Sequence, residues 1–324
     1  MKYESFNEFF SNLDVDNNEI NLRWKKLRKK RRKSFLITLI IILTIDAFII
    51  YKVKSLLSSG LFETVGLFGI FFAMISIFVV DMFIFIISML IFGGKDVVQF
   101  NKEYKDKVIN KLLENFIEEL DYIPLKGLPR NVYNEANYNN HYNRYHSDDY
   151  FEGKINNQKI VMADLLVEEE TQKIDTDGNE QTEVETIFYG LFGKINLNKS
   201  INSNLIIEKD NVFRFHKESS LDMDSTEFEK TFNVYSDNNI IGMQLLTSDI
   251  QEDILELYNK YKISFYISIM HDKMYVLFNT GSMFEVFSTK YSPNVVLEEY
   301  FDIIKFIYRL VDKILKTIDS TQIW

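Results

Sequence analysis

Four aspartates are the residues of this chain whose types and positions point to chemistry. Asp46 and Asp81 each interrupt a long apolar run, and Asp148 and Asp149 are adjacent in the stretch YHSDDYFEGKI. An acid inside a membrane helix is a candidate for an ion or proton path. Paired carboxylates can hold Mg²⁺ together with water. Solvated or structural acids are the simpler interpretation of both pairs.

Other chemistry-bearing residues are sparse. The chain has no cysteine, which excludes disulfides and thiolate catalysis, and its 12 glycines form no phosphate-binding loop. The four histidines lack metal-ligand spacing: His141, His146, His216 and His271. The sequence therefore predicts no catalytic residue, no cofactor and no metal ion. It leaves Asp148 and Asp149 as a weak candidate surface site.

Two apolar runs predict membrane helices. Phe35–Val53 contains one acid and is about 30 Å long as a helix, which matches the hydrocarbon core of a bilayer. Val65–Phe92 is longer still and contains one acid. We therefore expect a two-helix transmembrane hairpin, with a cleaved signal peptide as the alternative for the first run.

A basic run precedes the first apolar segment and predicts its orientation. Six basic residues adjoin the membrane: Arg28, Lys29, Lys30, Arg31, Arg32 and Lys33. The connecting loop offers only Lys52 and Lys54. Because Lys and Arg favour the cytoplasmic side, we expect a multi-pass protein of the cell membrane with both termini in the cytoplasm. The run should also attract anionic lipid headgroups.

Charge is distributed unevenly along the chain. Residues 1–33 carry a net charge of +5 and the remainder carries −15, for a total of −10. A nucleic-acid-binding protein needs basic surface on its folded part, and here that part is acidic. The expected partners are therefore the lipid bilayer and a protein partner or a second copy, without nucleic acid.

The two intramembrane acids are expected to be too far apart to interact. When depth is counted from the outer boundary, Asp46 and Asp81 differ by about 15–20 Å, at 1.5 Å per residue. They would then not share a proton. The sequence favours a helix–helix contact for Asp46, made with another copy, and leaves an ion or proton path as the alternative.

The elements after the membrane predict an α+β domain. The chain divides into a basic segment 1–33, a transmembrane hairpin 34–93 and a cytoplasmic domain 95–324. Residues 100–120 show helical periodicity. Hairpin turns are predicted at 156–157, 177–178 and 271–272, and a fourth hairpin joins 231–235 to 240–246. A strand is expected at 284–287.

The C-terminal part predicts two helices. One begins at Ser248, and a long one begins at Ser292-Pro293 with a wide apolar face that a sheet must cover. The fold class is therefore a transmembrane hairpin followed by an antiparallel-sheet cytoplasmic domain with a long C-terminal helix. A pleckstrin-like barrel closed by that helix is one possibility.

Three stretches in combination resemble a known family. FEKTFNVYSDNNIIGMQLLTSD, YHSDDYFEGKI and the terminal TIDSTQIW are similar to an uncharacterised bacterial family of membrane-anchored proteins, a domain of unknown function. The resemblance implies an N-terminal hydrophobic hairpin, a membrane location and a C-terminal Ile-Trp. It implies no activity, substrate or catalytic residue.

The sequence favours a membrane-tethered cytoplasmic interaction or regulatory module over an enzyme. One alternative is a transport or ion-path subunit that uses Asp46. The other is a carboxylate-dependent enzyme, which a cleft converging on Asp148 or Asp149 would favour.

Overall fold

The computed structural model describes residues 1–58, 75, 77–86, 94–174, 180–209, 221–223, 225–287 and 291–321. The chain forms two compact units. The first, here called the sheet unit, combines Met1–Val15 with Lys105–Trp324, and the second, the anchor unit, is Asp16–Tyr104. The first 15 residues thus belong to the sheet unit, although residues 16–104 separate them from the rest of it in the chain.

The anchor unit contains three described helices. They are α2 (Asn17–Ser58), α3 (Ile77–Ile86) and α4 (Lys95–Tyr104). In the described part of the chain, α2 is the one helix long and apolar enough to cross a membrane, and its most apolar stretch is almost wholly unburied. Large apolar side chains such as Phe35, Ile40 and Phe48 are exposed along it.

The predicted two-helix transmembrane hairpin is corrected to one helix of spanning length. Most of the second predicted run, Val65–Phe92, lies outside the described residues. Within it α3 has ten residues, about 15 Å, which is half the thickness of a hydrocarbon core. The described residues therefore contain one helix of spanning length instead of two, because apolar composition indicates affinity for lipid but does not by itself give a helix of that length.

The sheet unit is built on eight antiparallel strands. Their order in the sheet is β1-β2-β3-β4-β8-β7-β5-β6. The strands are β1 (Glu118–Ile123), β2 (Arg144–Ile155), β3 (Gln158–Ile174), β4 (Glu180–Asn196), β5 (Asn204–Lys209), β6 (Phe232–Ser236), β7 (Phe265–Met270) and β8 (Lys273–Phe278). The α+β prediction is confirmed. The described pairings give an open order, with β1 and β6 at its ends, rather than a closed pleckstrin-like barrel.

Helices surround this sheet. They are α1 (Phe6–Ser11), a π-helical turn at Lys105–Ile109, α5 (Asn110–Phe116), α6 (Arg130–Asn134), α7 (Thr226–Glu229), α8 (Asn239–Leu245), α9 (Ser248–Tyr261) and α10 (Pro293–Thr321). The helix predicted at Ser292-Pro293 is confirmed as α10. The helix predicted with Ser248 as its cap is confirmed as α9, but Thr247 is its N-cap residue.

Two predicted hairpin turns are confirmed by their backbone angles. Asn156 and Asn157 between β2 and β3 have φ values of 49° and 63°, and His271 between β7 and β8 has 55°. Asparagine tolerates this left-handed region better than most residues, which explains the Asn-Asn turn. The turn predicted at 177–178 lies outside the described residues, but β3 and β4 on either side of it pair as expected.

The long helix α10 covers one face of the sheet. Its Phe306 ring lies 6.4 Å from that of Phe265 on β7 and 5.9 Å from that of Phe278 on β8. The helix buries 13 residues in all. Since a buried Leu, Ile or Phe stabilises by about 1.5–3 kcal/mol, this contact is a large part of the core.

The Asn- and Tyr-rich segment around α6 covers the opposite face. Tyr133 is fully buried beside Phe188 and Phe192 of β4. Tyr138 stacks edge-on against Tyr266 of β7 at 5.0 Å. The aromatics of this loop therefore form a second core layer, so the sheet is covered on both sides.

The N-terminal residues pack on α10 and α5. The Phe9 ring on α1 lies 5.5 Å from Phe301 of α10. The Asn115 side chain accepts from the backbone N–H groups of Lys2 at 3.1 Å and Tyr3 at 2.7 Å. These contacts attach α1 to the sheet unit, which no sequence pattern had indicated.

Three predicted elements were wrong. The strand predicted at 240–246 is replaced by helix α8 (Asn239–Leu245), because the Asn238 side chain accepts from the N–H groups of Ile240 and Ile241 and caps a helix. The helix predicted over 100–120 ends at Phe116, and β1 follows by pairing with β2. Residues 284–287 are not a strand; the preceding Met283 N–H donates to a side chain instead of a neighbouring strand.

Candidate functional site: a buried carboxylate cluster

A β-bulge brings Asp148 and Asp149 to the same place. Successive residues on a strand normally point to opposite faces of the sheet. Here the β2–β3 register shifts between Asp148 and Phe151, and Asp149 has a φ of 52°. The Asp149 N–H donates to the Pro124 carbonyl oxygen at 2.9 Å instead of to β3. The bulge therefore turns the second acid toward the first.

Asp164 on β3 completes the group. It is paired with Asp148 in the strand register, so the two carboxylates lie on the same face. One carboxylate oxygen from each of Asp148, Asp149 and Asp164 lies within 4.8 Å of the others. Asp149 and Asp164 are buried, and Asp148 lies at the edge with 37% of its side chain exposed. We call these three residues the aspartate cluster.

A buried lysine lies beside the aspartate cluster. The Lys105 Nζ donates to Asp149 Oδ2 at 2.7 Å and to Glu285 Oε1 at 2.6 Å. The Tyr122 hydroxyl donates to Asp149 Oδ1 at 2.6 Å, so both oxygens of Asp149 are satisfied. Lys105 begins the π-helical turn, a rare geometry that is frequent at functional sites.

Among the described residues, only one of the two carboxylate oxygens of Asp164 has a hydrogen-bond partner. Its Oδ2 accepts from the Met283 N–H at 2.6 Å. Its Oδ1 is buried and has no hydrogen-bond partner among the described residues. A buried polar atom without a partner is costly and calls for an explanation such as a bound ion or water.

Burial dominates the titration of the cluster. It raises the pKa of Asp149 to about 6, against the stabilising effects of Lys105 and Tyr122 on its ionised form. It also raises the pKa of Asp148, and that of Asp164 well above its usual range, where the neighbouring Asp149 adds to the effect. For Lys105, burial lowers the pKa but the carboxylates of Asp149 and Glu285 outweigh it. One ammonium thus faces several poorly solvated carboxylates.

The intramembrane acids meet, contrary to expectation. The side chains of Asp46 on α2 and Asp81 on α3 lie close enough to interact electrostatically. The depth count set the outer boundary of the first helix near Lys54, whereas α2 continues to Ser58. The contact lies within one chain, so the idea that Asp46 must find its partner in another copy loses its basis.

The basic run lies within α2, directly before the apolar stretch. Arg28 stacks over the Trp24 ring at 4.7 Å, and Lys30 Nζ lies 2.6 Å from an oxygen of Asp96 on α4. The His146 Nε2 atom lies 4.0 Å from Asp148 Oδ2, at the edge of the aspartate cluster. His216 lies outside the described residues.

Sequence reasoning found Asp148 and Asp149 but missed Lys105, Asp164 and Glu285. One signal for Asp164 was available, because it is an acid inside the otherwise apolar strand segment IVMADLLV. Such a residue is rarely buried without a partner. Lys105 and Glu285 gave no comparable signal, since each looks like an ordinary surface charge in its segment.

Fold and site define a class: an α+β protein with one helix capable of anchoring it in a membrane and a buried carboxylate cluster in its sheet. Residues 186–316 match the family described as "Protein of unknown function (DUF3137)". The resemblance to an uncharacterised family is thereby confirmed, and this region is a DUF3137 domain. The match begins within β4, so the three clustered aspartates precede it.

Comparisons with individual proteins add little. No curated protein matches the chain. Among solved structures, the crystal structure of the mycobacterial trehalose monomycolate transport factor A, TtfA, is similar, with 8% identity and a TM-score of 0.34. The likeness covers 60% of this chain and 88% of that one. A similarity this weak carries no inference about function.

Proposed function

We propose that this protein is a membrane-tethered module whose sheet unit acts in the cytoplasm through contacts with a protein partner. The observation that carries the proposal is α2, whose apolar stretch is almost wholly unburied. Apolar surface of that extent is stabilised by lipid rather than by water. The basic residues directly before it, Arg28–Lys33, favour the cytoplasmic side and anionic headgroups.

The proposed topology is multi-pass in the cell membrane, with both termini in the cytoplasm. Asp81 on α3 supports a return of the chain into the bilayer, because its side chain lies near that of Asp46 on α2. A carboxyl group in hydrocarbon is costly alone, and a second carboxyl at the same depth reduces that cost.

The topology is tested with single cysteines, for which the cysteine-free chain gives no background. Ser58→Cys lies at the end of α2, and Ser320→Cys lies at an exposed position of α10. On intact cells, a membrane-impermeant thiol reagent should label the first and not the second. After permeabilisation both should react, which controls for accessibility. Labelling of Ser320→Cys in intact cells would contradict the cytoplasmic assignment.

The end of the β3–β4 hairpin supports the interaction role. Thr171–Ile174 and Glu180–Glu183 pair with each other, and the described pairings place no third strand beside them. The described β4 residues 180–186 are all exposed. Glu180, Glu183 and Glu185 give the exposed end of β4 a negative charge, so a partner that docks there should be basic. Charges also keep such an edge from aggregating, which is compatible with a regulated contact.

The ribbon is tested by removing charge without changing shape. Glu180→Gln/Glu185→Gln should lower the yield of the partner that co-purifies from native membranes in mild detergent by about tenfold, because the attraction is electrostatic. Added salt should also lower the yield of the partner, because it screens the same attraction. The matched variant Glu252→Gln/Glu256→Gln makes the same charge change on exposed positions of α9. Equal yields from the two variants would reject the ribbon as the contact.

A carboxylate-dependent enzyme is the second candidate, and the convergence of Asp148, Asp149 and Asp164 favours it. It would require a substrate that reaches the half-exposed Asp148. Turnover by the purified chain that Asp148→Asn abolishes would establish it in place of the interaction role.

A further inference from the structure

We propose that Asp148, Asp149 and Asp164 form a binding site for a hard divalent cation, with Ca²⁺ as the best fit. The three carboxylates each offer an oxygen within 4.8 Å of the others. Ca²⁺ binds oxygen ligands at about 2.3–2.6 Å, so one ion can contact oxygens separated by up to about twice that distance. The site goes beyond the membrane-tethered role and does not depend on it.

The unpartnered oxygen of Asp164 is the observation that points to a ligand. Asp164 is 3% exposed, and its Oδ1 has no hydrogen-bond partner in the part of the chain described. The other oxygen is held by the Met283 N–H at 2.6 Å, which fixes the carboxylate plane. A buried acceptor that the protein itself leaves open, next to two further carboxylates, is suited to a cation.

The charge balance of the site leads to the same conclusion. The Lys105 ammonium is shared between Asp149 and Glu285, and the largely exposed His146 lies 4.0 Å from Asp148. The described ion pairs of this ammonium go to Asp149 and Glu285, so it is not paired directly with Asp148 or Asp164. Uncompensated carboxylates cost several kcal/mol each in a protein interior, so a further positive charge is needed.

The ligand chemistry selects the kind of cation. All three candidate ligands are carboxylates, which suit Ca²⁺, Mg²⁺ and Mn²⁺ rather than metals that prefer sulfur or imidazole. Asp148 provides the entry, because 37% of its side chain is exposed while Asp149 is fully buried. Water can complete the coordination on that open side.

A proton on Asp164 is the competing source of positive charge. It would neutralise the buried carboxylate without any metal, and the amide of Asp164→Asn would imitate it. If a cation neutralises the site, added cations should bind to the wild-type chain and stabilise it. If a proton does so, added cations should have no such effect.

The test uses the full chain in a nonionic detergent, freed of metal with a chelator. CaCl₂, MgCl₂ or MnCl₂ is then titrated while the thermal midpoint and ⁴⁵Ca²⁺ equilibrium dialysis are measured. At a concentration about 100-fold above Kd, bound Ca²⁺ should raise the midpoint by roughly 5–10 °C. Asp148→Asn and Asp164→Asn should each weaken binding by at least about tenfold.

Matched variants locate the ion. Glu252→Gln removes one exposed acid of α9 and should leave binding unchanged. If Asp164→Asn fails to fold, the half-exposed Asp148 gives the same test with less risk to the core. A wild-type chain that binds none of the three cations at millimolar concentration overturns the proposal in favour of the proton. Binding that persists in Asp148→Asn overturns it as well.

Discussion

A chain that ends at Tyr291 is expected to lose the cooperative folding of its sheet unit. It lacks α10, which buries 13 residues, among them Phe306 against β7 and β8. At about 1.5–3 kcal/mol for each buried large apolar side chain, the loss exceeds the usual net stability of about 5–15 kcal/mol. The near-ultraviolet circular dichroism of the many aromatic rings should be lost, since it reports fixed packing.

Point substitutions on α10 should lower the stability of the sheet unit by amounts that depend on how deeply each side chain is buried. Phe301 is fully buried, and its ring lies 5.0 Å from Phe116 and 5.5 Å from Phe9. Phe301→Ala should cost about 3–5 kcal/mol, because it leaves a cavity where three elements meet. Val295→Ala changes an exposed position of the same helix and should cost less than about 0.5 kcal/mol. A cooperative near-ultraviolet melt from the chain that ends at Tyr291 would show that the core lies elsewhere.

Lys105→Met is expected to destabilise the sheet unit by about 3–5 kcal/mol. The ammonium holds Asp149 at 2.7 Å and Glu285 at 2.6 Å, and Asp149 has no solvent exposure. Methionine fills similar space but leaves a buried carboxylate without its counterion, which is more damaging than removal of the whole pair. Chemical denaturation of the full chain in detergent, followed by tyrosine near-ultraviolet signals, measures the loss.

The double variant Lys105→Met/Asp149→Asn is the control. It removes both charges and should recover most of the lost stability. Asparagine also accepts the left-handed backbone at this position, where φ is 52°. If the double variant is as unstable as the single one, then the lysine acts through packing and not through its charge.

The pH dependence follows from the same pair. The pKa of Asp149 is raised from 3.8 to about 6, so the folded state holds this proton more tightly than the unfolded chain. Its contribution to stability is present below about pH 4 and is lost as the pH rises through about 6. Removal of Lys105 raises this pKa further. The deficit of Lys105→Met should therefore be smaller near pH 5 than near pH 8.

Local patterns determined much of this fold. Helices α9 and α10 follow from start signals and apolar periodicity, and the turns at Asn156-Asn157 and His271-Asp272 follow from residues that tolerate left-handed angles. The apolar stretch of α2 was equally evident, because the need for lipid is a property of composition. These features depend on interactions among residues close in the chain, which a sequence displays directly.

The secondary structure of short apolar segments was determined by their contacts with the rest of the protein. Residues 240–246 could form a strand or a helix, and the cap supplied by Asn238 selected the helix. Helical periodicity continued to residue 120, but pairing with β2 converted Glu118–Ile123 to a strand. Local preference is weak in such segments, so the available hydrogen-bond partners determine the outcome.

The sequence alone determined that Asp148 and Asp149 are adjacent acids and that Asp46 and Asp81 stand in apolar runs. Only the tertiary structure decided what each one meets. The bulge in β2 joins its two acids to Asp164, and distant segments supply their charge partners. The reason is physical: the cost of a buried carboxylate depends on distances of a few ångströms to groups far away in the chain, and those distances exist only after folding.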